Sequence, residues 1–253
     1  MLMTKMASIF IPSLFLIGVG YIHAQNTKLN QIPSPVLIEL FTSQSCSSCP
    51  TAEELLNTWG MDLFKAKKAL PLAFHVDYWD YLGWKDTFSS SFATDRQKQY
   101  ASFYHAESIF TPEMVVNGQI GFNGADQKTA QTEVDQASTS SLLPPLEIKA
   151  KIYSKNIKVV LSTPFKVTLQ GQTLYVTVFE NDLPTTVNRG ENSGKRLVQN
   201  FVVRSQTVLN KIGKVSIPID SQWNISHLGV AAWIQNPQTM RAQGLNWIFP
   251  VSN

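Results

Sequence analysis

The sequence holds two cysteines, in the run Cys46-Ser47-Ser48-Cys49. Two sulfurs this close in the chain close so small a loop that a bond between them constrains the unfolded chain little, which makes a purely structural disulfide a weak use of the pair. Thiol-disulfide exchange suits the spacing better. A thiolate attacks, a mixed disulfide forms, and the neighbouring sulfur displaces the substrate. Two other uses stay open beside it. One is a structural disulfide; the other is a soft-metal site, with copper held by both sulfurs and His75. Structural zinc wants about four ligands, and no second cysteine pair exists to supply them.

The elements around the pair must hold a sulfur where charge on it is stabilised. Pro35 to Thr42 is a short apolar run rich in branched residues and reads as a buried strand, ended by Ser43-Gln44-Ser45. Beyond the cysteines, Ala52, Leu55, Leu56 and Trp59 repeat with a helical period, and Gly60 closes the predicted helix. If that helix starts at Ser47, Cys46 takes the capping position, where unpaired backbone N–H groups favour a thiolate. Pro50 favours the alternative of a helix that begins at Pro50, with Cys46 in a preceding tight turn. In either case Cys46 is expected to attack and Cys49 to resolve. Leu70 to Asp77 reads as a second strand, parallel to the first and joined to it by the helix in a right-handed unit. Both strands then open on one sheet edge, where sites of open α/β sheets lie. His75, Asp77 and Trp79 share a strand face if the strand runs that far, while Asp80 belongs to the loop. A buried carboxylate or imidazole near the sulfurs can shuttle the proton that exchange requires, and Asp77 is the candidate taken here. The bland alternative is a satisfied core histidine with Asp77 and Asp80 capping loops. Trp79, Tyr81 and Trp84 either line a platform for a peptide or pack into the core.

Further along, a polar helix is predicted from Ser91 to Tyr104, then Thr111-Pro112, a hairpin from Glu113 to Phe122 turning at Asn117-Gly118, and a helix from Ala125 to Ala137. From Ser138 to Pro145 the composition shifts to Ser, Thr and Pro, the mark of a domain boundary. Beyond it, alternating residues at Leu146 to Ile152 and Thr173 to Phe179 predict strands. Further candidates are Ile157 to Leu161, Leu197 to Val203, Val215 to Ile219, Gly229 to Ile234 and Leu245 to Phe249. Strands without intervening helices suggest a small antiparallel sandwich. The fold class is therefore α/β: an α/β domain at 34–138 followed by a smaller antiparallel β-sandwich domain at 146–253. The glycine-punctuated loop Arg189 to Arg196 either folds over the redox edge, with Arg204, or is a solvated hairpin.

Composition narrows the setting. A net charge of +3 and no run of basic residues interleaved with aromatics argue against a nucleic-acid partner. Lys5, an apolar stretch from Ala7 to about Tyr21 and then Ile22-His23-Ala24 read as an export signal, residues 1–24, cleaved after Ala24; since Ile22 is larger than the usual small residue before the cut, a shifted cut or a retained anchor stays open. The apolar run is short for a membrane span and Pro12 interrupts it; no second one follows.

Three segments carry a resemblance. Glu39 to Pro50, Phe74 to Asp86 and Thr111 to Gly118 resemble a family of secreted thioredoxin-like proteins catalogued as a domain of unknown function, and Gly190 to Leu197 with Val202 to Arg204 extend the match into the second half. The resemblance implies a thioredoxin-like fold in which Pro112 is cis and faces the disulfide, the backbone of Thr111 being offered to an extended substrate. The sequence departs from thioredoxin at Ser45, where a tryptophan is usual, and at Pro50, since proline follows the pair instead of lying within it. The resulting expectation is an exported, periplasmic or secreted thiol-disulfide oxidoreductase acting through Cys46, Cys49, Thr111, Pro112 and Asp77. It needs no organic cofactor, a protein or peptide thiol/disulfide substrate, and a redox partner protein. The rivals are a non-catalytic envelope binding protein with a structural disulfide and a copper carrier.

Overall fold

The computed structural model describes residues 34–138, 143–164, 167 and 169–252. The expected export signal lies outside the described residues. The chain opens with β1 (Val36–Thr42), all seven residues of which are buried. A strand is buried on both faces when helices cover both sides of its sheet. Here the alternation is visible residue by residue: Glu39 and Phe41 face Arg96 and Tyr100, whereas Thr42 points the other way, to Glu53. The helix after the cysteines begins as α1 (Cys49–Leu55), passes through a π-helical stretch at Leu56–Gly60 and continues into α2 (Met61–Lys65). Gly60 therefore does not end the helix as expected. A Cβ there would meet Pro71 Cγ at 3.2 Å, so the glycine lets the helix approach the next strand closely.

That strand, β2 (Ala69–His75), pairs in parallel with β1, Thr42 opposite His75. α3 (Ser91–Tyr104) follows, as the sequence predicts, and ends at His105 in the left-handed region. β3 (Glu113–Val116) lies antiparallel to β1, and β4 (Ile120–Asn123) completes the hairpin through Asn117 and Gly118, both at positive φ. α4 (Gln127–Ser138) closes this half.

In the second half, β5 (Glu147–Tyr153) and β6 (Asn156–Ser162) alternate exposed and buried residues, the pattern of a one-sided sheet. Then come β7 (Thr173–Glu180), β8 (Leu183–Thr186), β9 (Arg196–Gln199), β10 (Val202–Leu209), β11 (Lys214–Pro218), β12 (Leu228–Gln235), β13 (Ala242–Ile248) and the short β14 (Val251–Ser252). Leu197 to Val203, read from the sequence as one strand, is two. The chain turns at Asn200–Phe201, where buried Phe201 has φ 59° and its carbonyl accepts from Ala73 N–H at 2.8 Å.

The α/β class holds, and the antiparallel sandwich is present, but one sheet runs through both halves. Its order is β13-β12-β7-β10-β2-β1-β3-β4, joined where β10 meets β2 in parallel at Val202 and Ala73. A second sheet, β11-β6-β5-β14, packs Ile148, Ile152, Val159 and Leu161 against Leu174, Val176, Val230 and Ala232. The other faces of β7 and β12, with Tyr175, Phe179 and Trp233, enter the core beneath the helices. These strands are thus a wall between two cores. β8 and β9 join neither large sheet and form a two-stranded arm.

Candidate functional site

Cys46 and Cys49 are bonded to each other, at the carboxyl end of β1 where the chain enters α1. The helix starts at Cys49 with Ser48 in the capping position, so Cys46 is not the cap. It sits in a preceding turn, its N–H donating to Ser43 O at 3.2 Å and its carbonyl accepting from Cys49 N–H at 3.3 Å. This is the arrangement Pro50 favours, since proline belongs in the first helical turn, where no N–H is needed. Ser47 and Ser48 are exposed, whereas Cys46 is 1% and Cys49 0% exposed.

Behind the disulfide lies a buried polar cluster. Glu53 is four residues beyond Cys49, the spacing that puts two helical side chains side by side. Its carboxyl oxygens accept from Thr42 Oγ1 at 2.8 Å and from Gln199 Nε2 at 3.3 Å. Burial pushes the Glu53 pKa up, and Asp86 adds to this, against the opposing pull of His75 and the two hydrogen bonds. Across from Thr42, His75 holds its Nδ1 2.7 Å from Asp86 Oδ2, which also accepts from Gln44 N–H. Burial opposes charge on His75, but the adjacent Asp86, its hydrogen bond and Glu53 outweigh it, and the pKa is raised. Burial works against the charged form of Asp86 too, yet His75 and the N–H groups of Gln44 and Phe88 win and lower its pKa. His75 Nε2 is buried and has no hydrogen-bond partner among the described residues.

The turn is covered from the second half of the chain. Asn192, at the tip of the β8–β9 arm, is fully buried although Glu191 and Ser193 beside it are exposed. Its amide donates to Gln44 O at 2.9 Å and to Cys46 O at 2.8 Å, and Lys195 Nζ fixes its oxygen at 2.8 Å. Glu191 Oε2 accepts from Ser47 N–H at 2.9 Å. Gly190, at φ +77°, rests against Trp84, where a Cβ would lie 3.3 Å from the Trp84 Cβ. Of the two readings of this loop, the structure has the one that folds over the cysteines. Arg204 is not part of the tip and pairs with Glu180, Nε to Oε2 3.3 Å.

Other residues singled out in the sequence are placed differently. β2 ends at His75, so the shared strand face does not reach Asp77 or Trp79. The Asp77 carboxylate accepts from Thr94 Oγ1 at 2.6 Å, tying the strand end to α3. Asp80 accepts from Asp86 N–H and Ser89 Oγ and so shapes the loop that delivers Asp86. Of the three aromatics, only Tyr81 stands well out, 81% exposed; Trp79 and Trp84 are half-buried, and Trp84 Nε1 donates to Gln44 Oε1 at 3.0 Å. The Thr111-Pro112 bond is cis. Pro112 packs beside Ala52 of α1 around Gly124, where an added Cβ would lie 3.4 Å from the Cβ of each.

Glu53, Asp86, Gln199 and Asn192 were not singled out by their chemistry. One signal existed: Glu53 is an acid between Ala52 and Leu55 on the apolar side of a helix, a position where a charge needs a reason. Asp86 sits inside a recognisable motif with nothing local to show its role. No group of three or more His, Cys, Asp or Glu poised to hold a metal ion occurs among the described residues. No described helix is long and apolar enough to cross a membrane.

A family model described as "Protein of unknown function (DUF1223)" matches residues 37–235. No curated protein matches the chain significantly. Among solved structures, the chain resembles protein AGR_C_4864 of Agrobacterium tumefaciens, with TM-score 0.63 and 22% identity over 87% of this chain and 96% of that one. It also resembles HBP35 of Porphyromonas gingivalis, with TM-score 0.60 and 12% identity over 87% of this chain and 76% of the other. At these identities the likeness concerns the fold.

Proposed function

The chain belongs to the DUF1223 family, and from that premise and the geometry of its cysteines we propose that it is an exported, thioredoxin-like thiol-disulfide oxidoreductase. One observation carries the reading. The Cys46–Cys49 disulfide stands at the carboxyl edge of parallel strands with a buried acid one helical turn behind it. Buried ionisable groups shifted by burial and by specific partners mark sites where protons move.

In the reductive direction a partner thiolate attacks Cys46 Sγ, an intermolecular disulfide forms, and Cys49 leaves as a thiolate. Glu53, whose pKa burial raises, gives Cys49 its proton, and the His75–Asp86 pair, electrostatically coupled to Glu53, restores it. A second partner thiol then displaces Cys46. Two partner thiols become a disulfide, the protein disulfide becomes two thiols, and two electrons and two protons have moved. An oxidised partner runs the same steps backward. No organic cofactor is needed; the electrons pass to or from a partner protein.

A second reading has an observation of its own. Both cysteines are buried, as in an inert staple of an envelope binding protein. Reduction potential separates the two. A glutathione or dithiothreitol titration, combined with turnover of a disulfide substrate, is expected to show turnover and a potential above about −300 mV. A lower potential without turnover would leave the staple.

A further inference from the structure

Cys46 is buried in a turn that the second half of the chain reaches, and that contact points to the substrate. Ser47 and Ser48, between the two cysteines, are in solvent, so the chain at the disulfide is at the surface. Laid on its backbone is a side chain from 146 residues away, Asn192, with Glu191 beside it. The body of the arm is fixed to the first half, with Thr185 Oγ1 and Gln199 Oε1 accepting from Gln44 Nε2 and Val198 O from Asn57 Nδ2, and only its tip extends over the cysteine turn. Among the described residues β8 and β9 pair only with each other, and the tip is closed on itself by Gly194 N–H to Val187 O at 2.8 Å and Val187 N–H to Lys195 O at 3.0 Å. Gly190 and Gly194 both have positive φ, at +77° and +82°, so the tip is built on two backbone positions that few other residues occupy. Three hydrogen bonds hold the tip to the cysteine turn: two from Asn192 and one to Glu191.

The groups these bonds occupy form a pattern. Released from the arm, the turn offers two acceptors, Gln44 O and Cys46 O, and one donor, Ser47 N–H. An extended polypeptide backbone carries both N–H and C=O groups and can satisfy all three; a small thiol cannot. Glu191 adds an electrostatic bar, since its carboxylate stands at the same turn as Cys46 and repels an approaching thiolate. On the reading of the cysteines as redox-active, we propose that the 188–195 tip is a substrate-selecting gate. Closed, it shields the disulfide from small thiols; a protein substrate in extended conformation takes over its hydrogen bonds and opens it. Exchange through a closed gate is slowed by the open fraction, and removing one such bond raises that fraction by roughly three- to tenfold.

The test compares two reductants on the full chain: dithiothreitol, and reduced, denatured ribonuclease A as the polypeptide thiol. Wild type is compared with Glu191→Ala, Asn192→Ala and Lys195→Met. Each variant is expected to be reduced by dithiothreitol several-fold faster than wild type, with the ribonuclease rate changed far less. Glu191 is exposed, so Glu191→Ala keeps the fold even if the buried Asn192 does not tolerate alanine. In that variant the Ser47 amide is expected to lose hydrogen-exchange protection. Unchanged dithiothreitol rates with the Ser47 amide freed would overturn the gate, as would equal acceleration toward both reductants. Faster dithiothreitol reduction with no ribonuclease exchange in any form overturns the polypeptide as its opener. That outcome also sinks the oxidoreductase reading, which sets it apart from failure of the gate.

Discussion

Two buried polar clusters lie on opposite faces of β1, three residues apart in the chain. On one face Glu39 receives Arg96 through Nε at 2.8 Å and Nη2 at 3.0 Å, and Tyr100 OH as well. Arg96 Nη1 donates to Gln235 Oε1 at 2.8 Å, and its guanidinium lies over the rings of Tyr100 and Tyr175. Each nitrogen of that guanidinium has a partner. On the other face, the cluster of Thr42, Glu53, His75 and Asp86 is as deeply buried, yet His75 Nε2 has no partner and the Glu53 carboxyl is favoured in its protonated form. Burying a polar group without a partner costs free energy, so a fully partnered cluster behaves as a clamp and an incompletely partnered one leaves room for a proton to move. The Arg96 cluster ties α3 to β1 and, through Gln235, to the sandwich. In the proposed function, the Glu53 cluster serves the disulfide.

Breaking the clamp should have the largest effect. Arg96→Ala leaves the Glu39 carboxylate buried and unpaired and is expected to cost about 3–5 kcal/mol, read as a drop in the urea midpoint. Replacing both residues by apolar ones should recover most of that loss; if the double variant is no better than the single, the clamp is not what holds α3. Next comes Glu53→Gln, which removes the proton but not the shape. Exchange at Cys46–Cys49 is expected to slow about a hundredfold. Because the Glu53 pKa is raised in the fold, its contribution to stability is full below its ordinary value of 4.5 and is lost as pH climbs through the folded value. The variant should therefore be no less stable than wild type at neutral pH; a large loss of stability would make this cluster a second clamp.

A smaller effect separates the clusters by pH. His75, raised in the fold, stabilises in full below its ordinary 6.5, and that contribution fades as pH rises through the folded value. Asp86, lowered, contributes above its ordinary 3.8 and ceases to as pH falls through its folded value. Denaturant midpoints should thus decline on the alkaline side, and His75→Gln should remove the part of the decline due to the imidazole, on the order of 1 kcal/mol. An unaltered pH profile in that variant would show that His75 does not titrate with folding. The smallest change is expected from Tyr104→Phe. The Tyr104 hydroxyl is buried and unpartnered while its ring stacks on Tyr100, so its loss should shift stability by no more than about 0.5 kcal/mol in thermal unfolding. A larger loss would mean that the clamp extends to Tyr104.

Much of the scaffold is legible in the chain because its signals are local. The branched apolar run at Val36–Thr42, the Asn117-Gly118 turn and the polar helix Ser91–Tyr104 each follow from neighbours within a few residues. Gly60 misled because a glycine needed for close packing against Pro71 looks, in sequence, like a helix end. Leu197 to Val203 misled because branched residues continue across a turn whose cause is Phe201 docking against Ala73.

What the sequence by itself determined, then, is the cysteine pair, the strand and helix on either side of it, and the alternation that makes the second half a sandwich, all set by chain-local spacing and the polarity of adjacent residues. Only the tertiary structure decided that Asp86 and not Asp77 stands by His75, that Gln199 and Asn192 reach back to the disulfide turn, and that one sheet spans both halves. Those contacts join residues from 11 to 155 positions apart. Hydrogen bonds and burial act through space, and the pattern along the chain records which groups must be satisfied but not which distant partner satisfies them.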